Sequence, residues 1–508
     1  MSSRKKTRCV TSVAEARKES ATGESSCAAA EAGPQYRVKV RSHNVLAFSD
    51  VHLGSDLVSY AIPEAPARSR VSIARDRDLS AFLDWYRTHR VGERPWRLVI
   101  GGDFIDFSGM SVMAPHEELV TAPTEEELAH GLGGAADHSL AKLRLVMAHH
   151  ASVMKSLADF VAAGNQLVIV RGNHDIDWHW ECVQTEFVTG LKALSNVPDG
   201  SVEFAPWFYY EEGVLYLEHG HQYDSYCSHE HVLYPVAPGD PKRMALSLSD
   251  VLIRYIVRPT RGIMEGGHEK HGVLDYVRFA FSLGARGTFR LLSRFIEANL
   301  ALFSLWRDHV GRLAKRGRRE QQRRMRRLAL AYRISMKRLR ALVRLQRKPA
   351  TASFSAIATS LMLDRLALGT LAIVAFVTLF AFHEHWTLLV PIMLALATVL
   401  GVCRHLWFAR HTPEPSAELR ERSVRVARLF PAAFIVMGHT HLPEVKPTAR
   451  TTYVNLGAWA EEESPDGSPG ALPATRTHLI VTCDDERPVA ELRVWDATGP
   501  RPFRADDG

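Results

Sequence analysis

The sequence predicts an α/β fold, and three observations carry that expectation. Four short apolar runs between residues 44 and 218, NVLAF, WRLVI, QLVIV and VLYLE, each lead straight into a turn rich in Gly, Asp, Asn and His. A fifth run, AAFIV, does the same at 432–436. Such runs suit strands buried on both faces, and segments 76–90 and 138–163 read as helices packed outside them. In an open α/β sheet the ligand site lies beyond the carboxyl ends of the strands, which is where the five turns would meet.

At 508 residues the chain exceeds the usual size of one core, and an apolar fraction of 46% is ample for burial. The net charge of +7 is unevenly spread. Residues 307–348 hold 17 Lys and Arg against Asp308 and Glu320, a local +15 that leaves −8 for everything else. Six scattered cysteines, Cys9, Cys27, Cys182, Cys227, Cys403 and Cys483, form no CxxC pair, which fits reduced thiols in a reducing compartment. The opening MSSRKKTRCVTS is basic and polar without an apolar core, so no cleavable signal peptide is expected.

Taken in order, residues 1–37, rich in Ala, Ser, Glu and Gly, read as a disordered tail. Residues 38–224 carry the first four strand-and-turn blocks: SDVHLG, GGDFID, RGNHD and HGHQYD. Residues 225–350 read as a basic helical insertion, with no clear strand from 225 to 306. The stretch 277–306 mixes large apolar residues with Arg278, Arg286, Arg290 and Arg294, as an amphipathic helix on a membrane or over a site would. The Arg-rich segment continues at helical spacing, with Leu328, Tyr332, Leu339, Leu342 and Leu345 forming an apolar stripe. Its charge reads as a solvated face, as a contact for anionic headgroups, or as a nucleic-acid contact. Headgroups are favoured, because the segment abuts the apolar stretches and has few aromatic residues.

Within 351–410, the runs 366–382 and 386–403 are uncharged and close to the length a helix needs to cross a bilayer. They are expected to form a transmembrane hairpin, the alternatives being buried core helices or an interfacial hairpin. Arg365 and the Arg-rich segment precede the pair, and Arg404 and Arg410 follow it, so both ends would face the cytoplasm. This predicts a multi-pass protein of the inner, or cytoplasmic, membrane. A chain that crosses twice returns to the side it left, so the fifth block, MGHTH, can rejoin the first four. Residues 411–508 return to strand-like texture and complete the same domain.

Asp50, His52, Asp103, Asn173, His219, His439 and His441 offer imidazoles and hard oxygens with no thiolate, a set suited to Mn, Fe, Zn or Mg. Seven ligands exceed the needs of one ion and suit two ions sharing a carboxylate. In DVH and HTH the side chains are two apart, so they point the same way at an extended strand end. A lone DxH or HxH arises by chance; five blocks in this order do not.

These blocks resemble the signature of the calcineurin-like metallophosphoesterases, and NLGAW at 455–459 is similar to the segment that follows their last block. The resemblance covers about residues 40–221 and 430–485. It implies a four-layer sandwich of two β-sheets flanked by helices, two divalent metal ions with Mn foremost, and hydrolysis of a phosphate ester or anhydride. It further implies that Asp50, His52 and His441 hold one ion, that Asn173, His219 and His439 hold the other, and that Asp103 bridges them. By the same resemblance His174 is the catalytic histidine and Asp106 orients it. HGH at 219–221 departs from the HGD of some branches, which leaves His221 as a contact of undetermined kind. The insertion between the fourth and fifth blocks is similar in position to the lid of the UDP-2,3-diacylglucosamine pyrophosphatases of lipid A synthesis, although at about 200 residues it is much larger. A phosphorylated small molecule or lipid is therefore the expected substrate, with a nuclease or an inactive scaffold of the same fold as alternatives.

Overall fold

The computed structural model describes residues 29–31, 42–58, 70–115, 119–260, 282–309, 314–360, 415–460, 475–484, 487–496 and 498–504, with isolated positions between 370 and 402. Two mixed β-sheets, flanked by helices, organise it. The first sheet runs β1 (Ala29–Glu31), β12 (Arg487–Asp496), β11 (Thr477–Asp484), β2 (Asn44–Phe48), β3 (Trp96–Ile100), β4 (Gln166–Val170) and β5 (Val202–Ala205), with β13 (Gly499–Pro502) also paired to β12. Strands β2 to β5 are parallel and β11 joins them antiparallel to β2. The second sheet runs β6 (Phe208–Glu211), β7 (Gly213–Glu218), β8 (Ala432–Met437), β10 (Thr452–Asn455) and β9 (Glu444–Pro447), with β7, β8 and β10 parallel.

All five expected apolar runs are therefore strands, and their alternation explains why they read as continuously apolar. In β2, Leu46 and Phe48 face a core shared with helices, while Val45 and Ala47 face the other sheet. The same alternation places Leu98 and Ile100 opposite Val99, and Tyr216 opposite Leu215 and Leu217. Outside the first sheet lie α1 (Arg70–Thr88), α4 (Ala151–Ala162) and α5 (Glu181–Leu194), whose Phe82, Leu157 and Phe187 belong to the helix–sheet core. Between these elements come α2 (Glu125–His130) and α3 (Ala136–His149).

The helix expected over 138–163 is instead two, broken at His150, whose backbone takes φ −105° and ψ 38°. The reason is the side chain. It is fully buried, its Nδ1 lies 2.8 Å from Asp76 of α1, and its Nε2 accepts the Gly54 N–H at 3.0 Å. The tail expected to be disordered contributes β1, which with β13 covers the outer edge of the ten-residue β12 and leaves less of it unpaired.

The insertion begins with α6 (Leu248–Leu252), which runs on as a π-helical turn at Ile253–Val257, followed by α7 (Gly284–His309), α8 (Ala314–Ala331), α9 (Met336–Leu345) and α10 (Phe354–Ser360). No named strand occurs among its described residues. The stripe of the Arg-rich segment packs inward: Leu328, Leu339 and Leu342 are buried with Tyr216, Phe208 and Phe430, beside Tyr332 and Leu345. Each such leucine contributes roughly 1.5–3 kcal/mol of burial. Together with α11 (Pro415–Leu429), α8 and α9 thus form the helical layer outside the second sheet, and their arginines face outward. The hairpin expected over 366–403 lies mostly outside the described residues, among which no helix is long and apolar enough to cross a membrane.

Candidate metal centre

The parallel strands β2, β3, β4, β7 and β8 all deliver their polar turns to one edge, between the two sheets. The turns are tightly made. Of the eight non-glycine residues with positive φ among the described residues, five are Asp50, His52, Asp103, His439 and His441, with φ between 50° and 70°. Left-handed backbone costs such residues on the order of 1–3 kcal/mol each, and it persists only where the surroundings over-determine it. Much of that determination is visible. Arg75, buried in α1, donates from Nη1 to the carbonyls of Val51 and His52, both at 3.0 Å. Trp459 and Ala460, at the end of NLGAW and just beyond it, donate their N–H groups to the Asp50 carbonyl at 3.0 and 2.9 Å. Asn455 donates from Nδ2 to the carbonyl of Gly438 at 2.9 Å, holding the GHTH turn. A Cβ at Gly438 would collide with Asp50 and Ser49, so only glycine lets these two turns approach.

Asp50, His52 and His441 each present a ligand atom to one small volume, with His441 Nε2 3.2 Å from Asp50 Oδ1. Asp50, Asp103 and His219 form an adjoining volume, in which Asp103 Oδ2 lies 3.1 Å from His219 Nε2 and 3.8 Å from His52 Nε2. Asp103 thus touches both groups. Asn173 joins the second through Oδ1, 3.1 Å from His219 Nε2. His219 donates its Nδ1 proton to the carbonyl of Gly101 at 3.0 Å, which turns Nε2 toward the carboxylates. His439 stands apart. Its ring centroid is 5.3 Å from that of His219, its Nε2 meets Asp224 Oδ2 at 3.3 Å, and it falls in a third group with Asp224 and Cys227.

His174 and Asp106 are together as expected, with Nδ1 2.7 Å from Oδ1, and Ser108 Oγ is 3.1 Å from the same nitrogen. Asp106 also accepts from the Gly109 N–H at 2.8 Å and from Arg258 Nη2 at 3.0 Å. Burial alone would raise its pKa, but His174 and Arg258 outweigh burial and hold the carboxyl well below the usual carboxylate range. His221 is buried with its ring 5.4 Å from His219 and its Nε2 2.9 Å from Gln222, so it backs the site. Three residues went unread in the sequence. Asp224 lay within a quoted block, HGHQYD, whereas Arg75 and Arg258 come from helical stretches with no marking pattern.

The donors fit divalent ions. His52 Nε2 is buried with no hydrogen-bond partner, and Asp50 Oδ1 faces the ring nitrogens of His441 at 3.2 Å and His219 at 3.9 Å, an arrangement that is costly without a ligand. Burial would lower the pKa of His219, but Asp103 and Asp50 override it and raise the imidazole to about 9. The paired carboxylates therefore call for positive charge at this point. Burial, followed by the nearby His174, pushes His52 down to about 3, which keeps it neutral and able to act as a ligand.

Residues 43–272 match the family described as calcineurin-like phosphoesterase. This match supports a calcineurin-like phosphoesterase domain over that segment of the chain. The matched segment holds the first four blocks, and the GHTH turn that completes the site lies beyond it. No curated protein matches the chain.

Proposed function

We propose that the protein is a membrane-anchored phosphoesterase with a dinuclear metal centre, hydrolysing a lipid-linked or nucleotide-linked phosphate ester or pyrophosphate. The observation that carries this reading is the adjoining of two buried carboxylates, Asp50 and Asp103, with imidazoles from three different turns. Asp50, His52 and His441 would hold one ion; Asn173, His219 and His439 the other; and Asp103 both. When bound, two ions, Mn²⁺ foremost, supply Lewis acidity and neutralise charge on the phosphoryl group.

His174 is the acid of the reaction. As the bond from phosphorus to the leaving oxygen breaks and one to a water oxygen forms, that water releases a proton to solvent and Nε2 of His174 gives its own proton to the leaving oxygen. Asp106, fixed on Nδ1, holds the ring in this tautomer and stabilises the imidazolium before transfer. Arg258 secures the other oxygen of Asp106, so the carboxylate cannot rotate away.

Membrane anchoring rests on the apolar runs 366–382 and 386–403 and the arginines on either side. Both ends would lie on the cytoplasmic side. Retention in membranes after carbonate washing is expected, and release would overturn the anchor. Hydrolysis is tested on detergent-purified protein with Mn²⁺, comparing bis-p-nitrophenyl phosphate, UDP-diacylglucosamine and DNA. Cleavage of the lipid nucleotide would place the chain with the lipid A pyrophosphatases, and cleavage of DNA would make it a nuclease. Silence on all three with metal bound would make it a scaffold.

A further inference from the structure

Helix α7 is apolar on two sides. Its inner side carries Ala298 and Leu302, fully buried against Leu248, Val251 and Tyr255 of α6 and the π-helical turn. On the opposite side Phe289, Leu292, Ile296, Leu300 and Phe303 are 73%, 54%, 53%, 65% and 48% exposed. At about 100° and about 1.5 Å per residue these five fall within roughly 80° of arc and run about 21 Å along the axis. Single exposed apolar residues need no explanation, but a continuous stripe marks a surface for a partner.

Two further observations indicate which partner. Exposed Arg286 and Arg290 line one side of the stripe, shared with exposed Glu297, a pairing of cations with apolar residues that suits anionic headgroups above acyl chains. The stripe also ends in an aromatic group, where Phe303 lies 5.4 Å from Trp306 and Phe354 lies 5.8 Å from Trp306, ring to ring. Phe354 opens α10, and twelve residues after it the chain enters the uncharged run 366–382. Phe354 thus ties the end of the stripe to the helix from which the chain goes on to that run.

We infer that α7 is an interfacial helix, lying with Phe289, Leu292, Ile296, Leu300 and Phe303 in the boundary between headgroups and acyl chains of an anionic bilayer. The inference rests on the membrane residence proposed above and deepens it. It gives the site a short route to a lipid substrate. Arg294 of α7 donates to Thr260 at 2.9 Å, just beyond the π-helical turn, and Arg258 next to that turn holds Asp106. A phosphate at the headgroup level would thus lie one helix away from the catalytic pair, and the substrate class becomes phosphorylated lipids held in the bilayer.

The test uses the full chain with Cys9, Cys27, Cys182, Cys403 and Cys483 replaced by serine and the buried Cys227 kept. An environment-sensitive fluorophore is placed at Ile296→Cys, at Leu300→Cys or, as a reference, at Asp199→Cys, an exposed position between α5 and β5. The protein is reconstituted in phosphatidylcholine vesicles containing phosphatidylglycerol, with and without lipids bearing a nitroxide on the acyl chain. Positions 296 and 300 should shift to the blue and be quenched several-fold, while position 199 does neither. Quenching at 296 and 300 no stronger than at 199 overturns the inference. A blue shift without quenching also overturns it, because residues 361–414 or a second copy would then cover the stripe, the second copy being recognised by dependence on protein concentration. Hydrolysis of bis-p-nitrophenyl phosphate by the same samples is scored separately, so loss of the phosphoesterase reading and loss of the interfacial helix are distinguished.

Discussion

The two halves of the proposed metal centre are built differently. The half proposed for Asp50, His52 and His441 is held from outside by groups of the scaffold of sheets and helices: Arg75 Nη1 from α1, the N–H groups of Trp459 and Ala460, and His150 on Gly54. The half proposed for Asn173, His219 and His439 has one member, His439, that stands apart from the other two with its Nε2 3.3 Å from Asp224. Asp224 is the last residue before the insertion. One pocket thus rests on the core of the domain, and the other has a member held by the residue from which the insertion departs toward α7 and the apolar runs 366–382 and 386–403. Equal chemistry at the strand ends does not make the two sites equally independent of the rest of the chain.

The strongest way to break this comparison is to remove the residue that belongs to both halves. Asp103→Ala is expected to reduce turnover to background and to lower bound metal from two ions per chain, measured by elemental analysis of the folded protein. Retention of both ions would show that Asp103 does not bridge. Removing the acid instead should separate chemistry from metal binding. His174→Ala should cost about 10²–10⁴ in kcat while keeping both ions. A loss of metal there would move His174 from proton transfer to ligation.

Arg75→Lys probes the first half alone. A lysine keeps the charge but lacks the planar head whose Nη2 is anchored on Ser72 Oγ at 3.3 Å while Nη1 holds both carbonyls, so the left-handed turn at His52 loses part of its support. The affinity for one ion should fall about 10–100-fold in calorimetry, as for other supporting residues, with the second ion unaffected. An equal loss of both ions would mean that the clamp serves the whole fold.

Much of this was legible in the sequence because strands and ligands left separate marks. Apolar runs such as NVLAF and AAFIV became strands, and His52, Asp103, Asn173, His219 and His441 came together because each sits just past a strand end. The supports were not legible. Arg75 and Arg258 act through the tertiary approach of helices to turns, which leaves no local pattern. His150 broke a helix that its neighbours favour, since a buried imidazole with two partners outweighs helix propensity. The layer made by α8 and α9 was read as a charged segment with a stripe, but the sheet that the stripe would cover could not be read from spacing.

The mildest change tests the coupling itself. Asp224 accepts from His439 Nε2, which orients the ring and leaves Nδ1 as the nitrogen for an ion. Asp224→Asn keeps the size and a hydrogen-bonding oxygen but removes the charge that raises ligand basicity. The affinity for the ion of Asn173, His219 and His439 should fall by roughly tenfold, the lower end for such partners, while the ion of Asp50, His52 and His441 binds as before. If the pocket is coupled to the insertion, the loss should also depend on lipid: adding anionic vesicles to the wild type should change that ion's affinity, and adding them to Asp224→Asn should not. An unchanged affinity in the variant would instead mean that His439 is placed by the GHTH turn alone, and both halves would then rest on the scaffold in the same way.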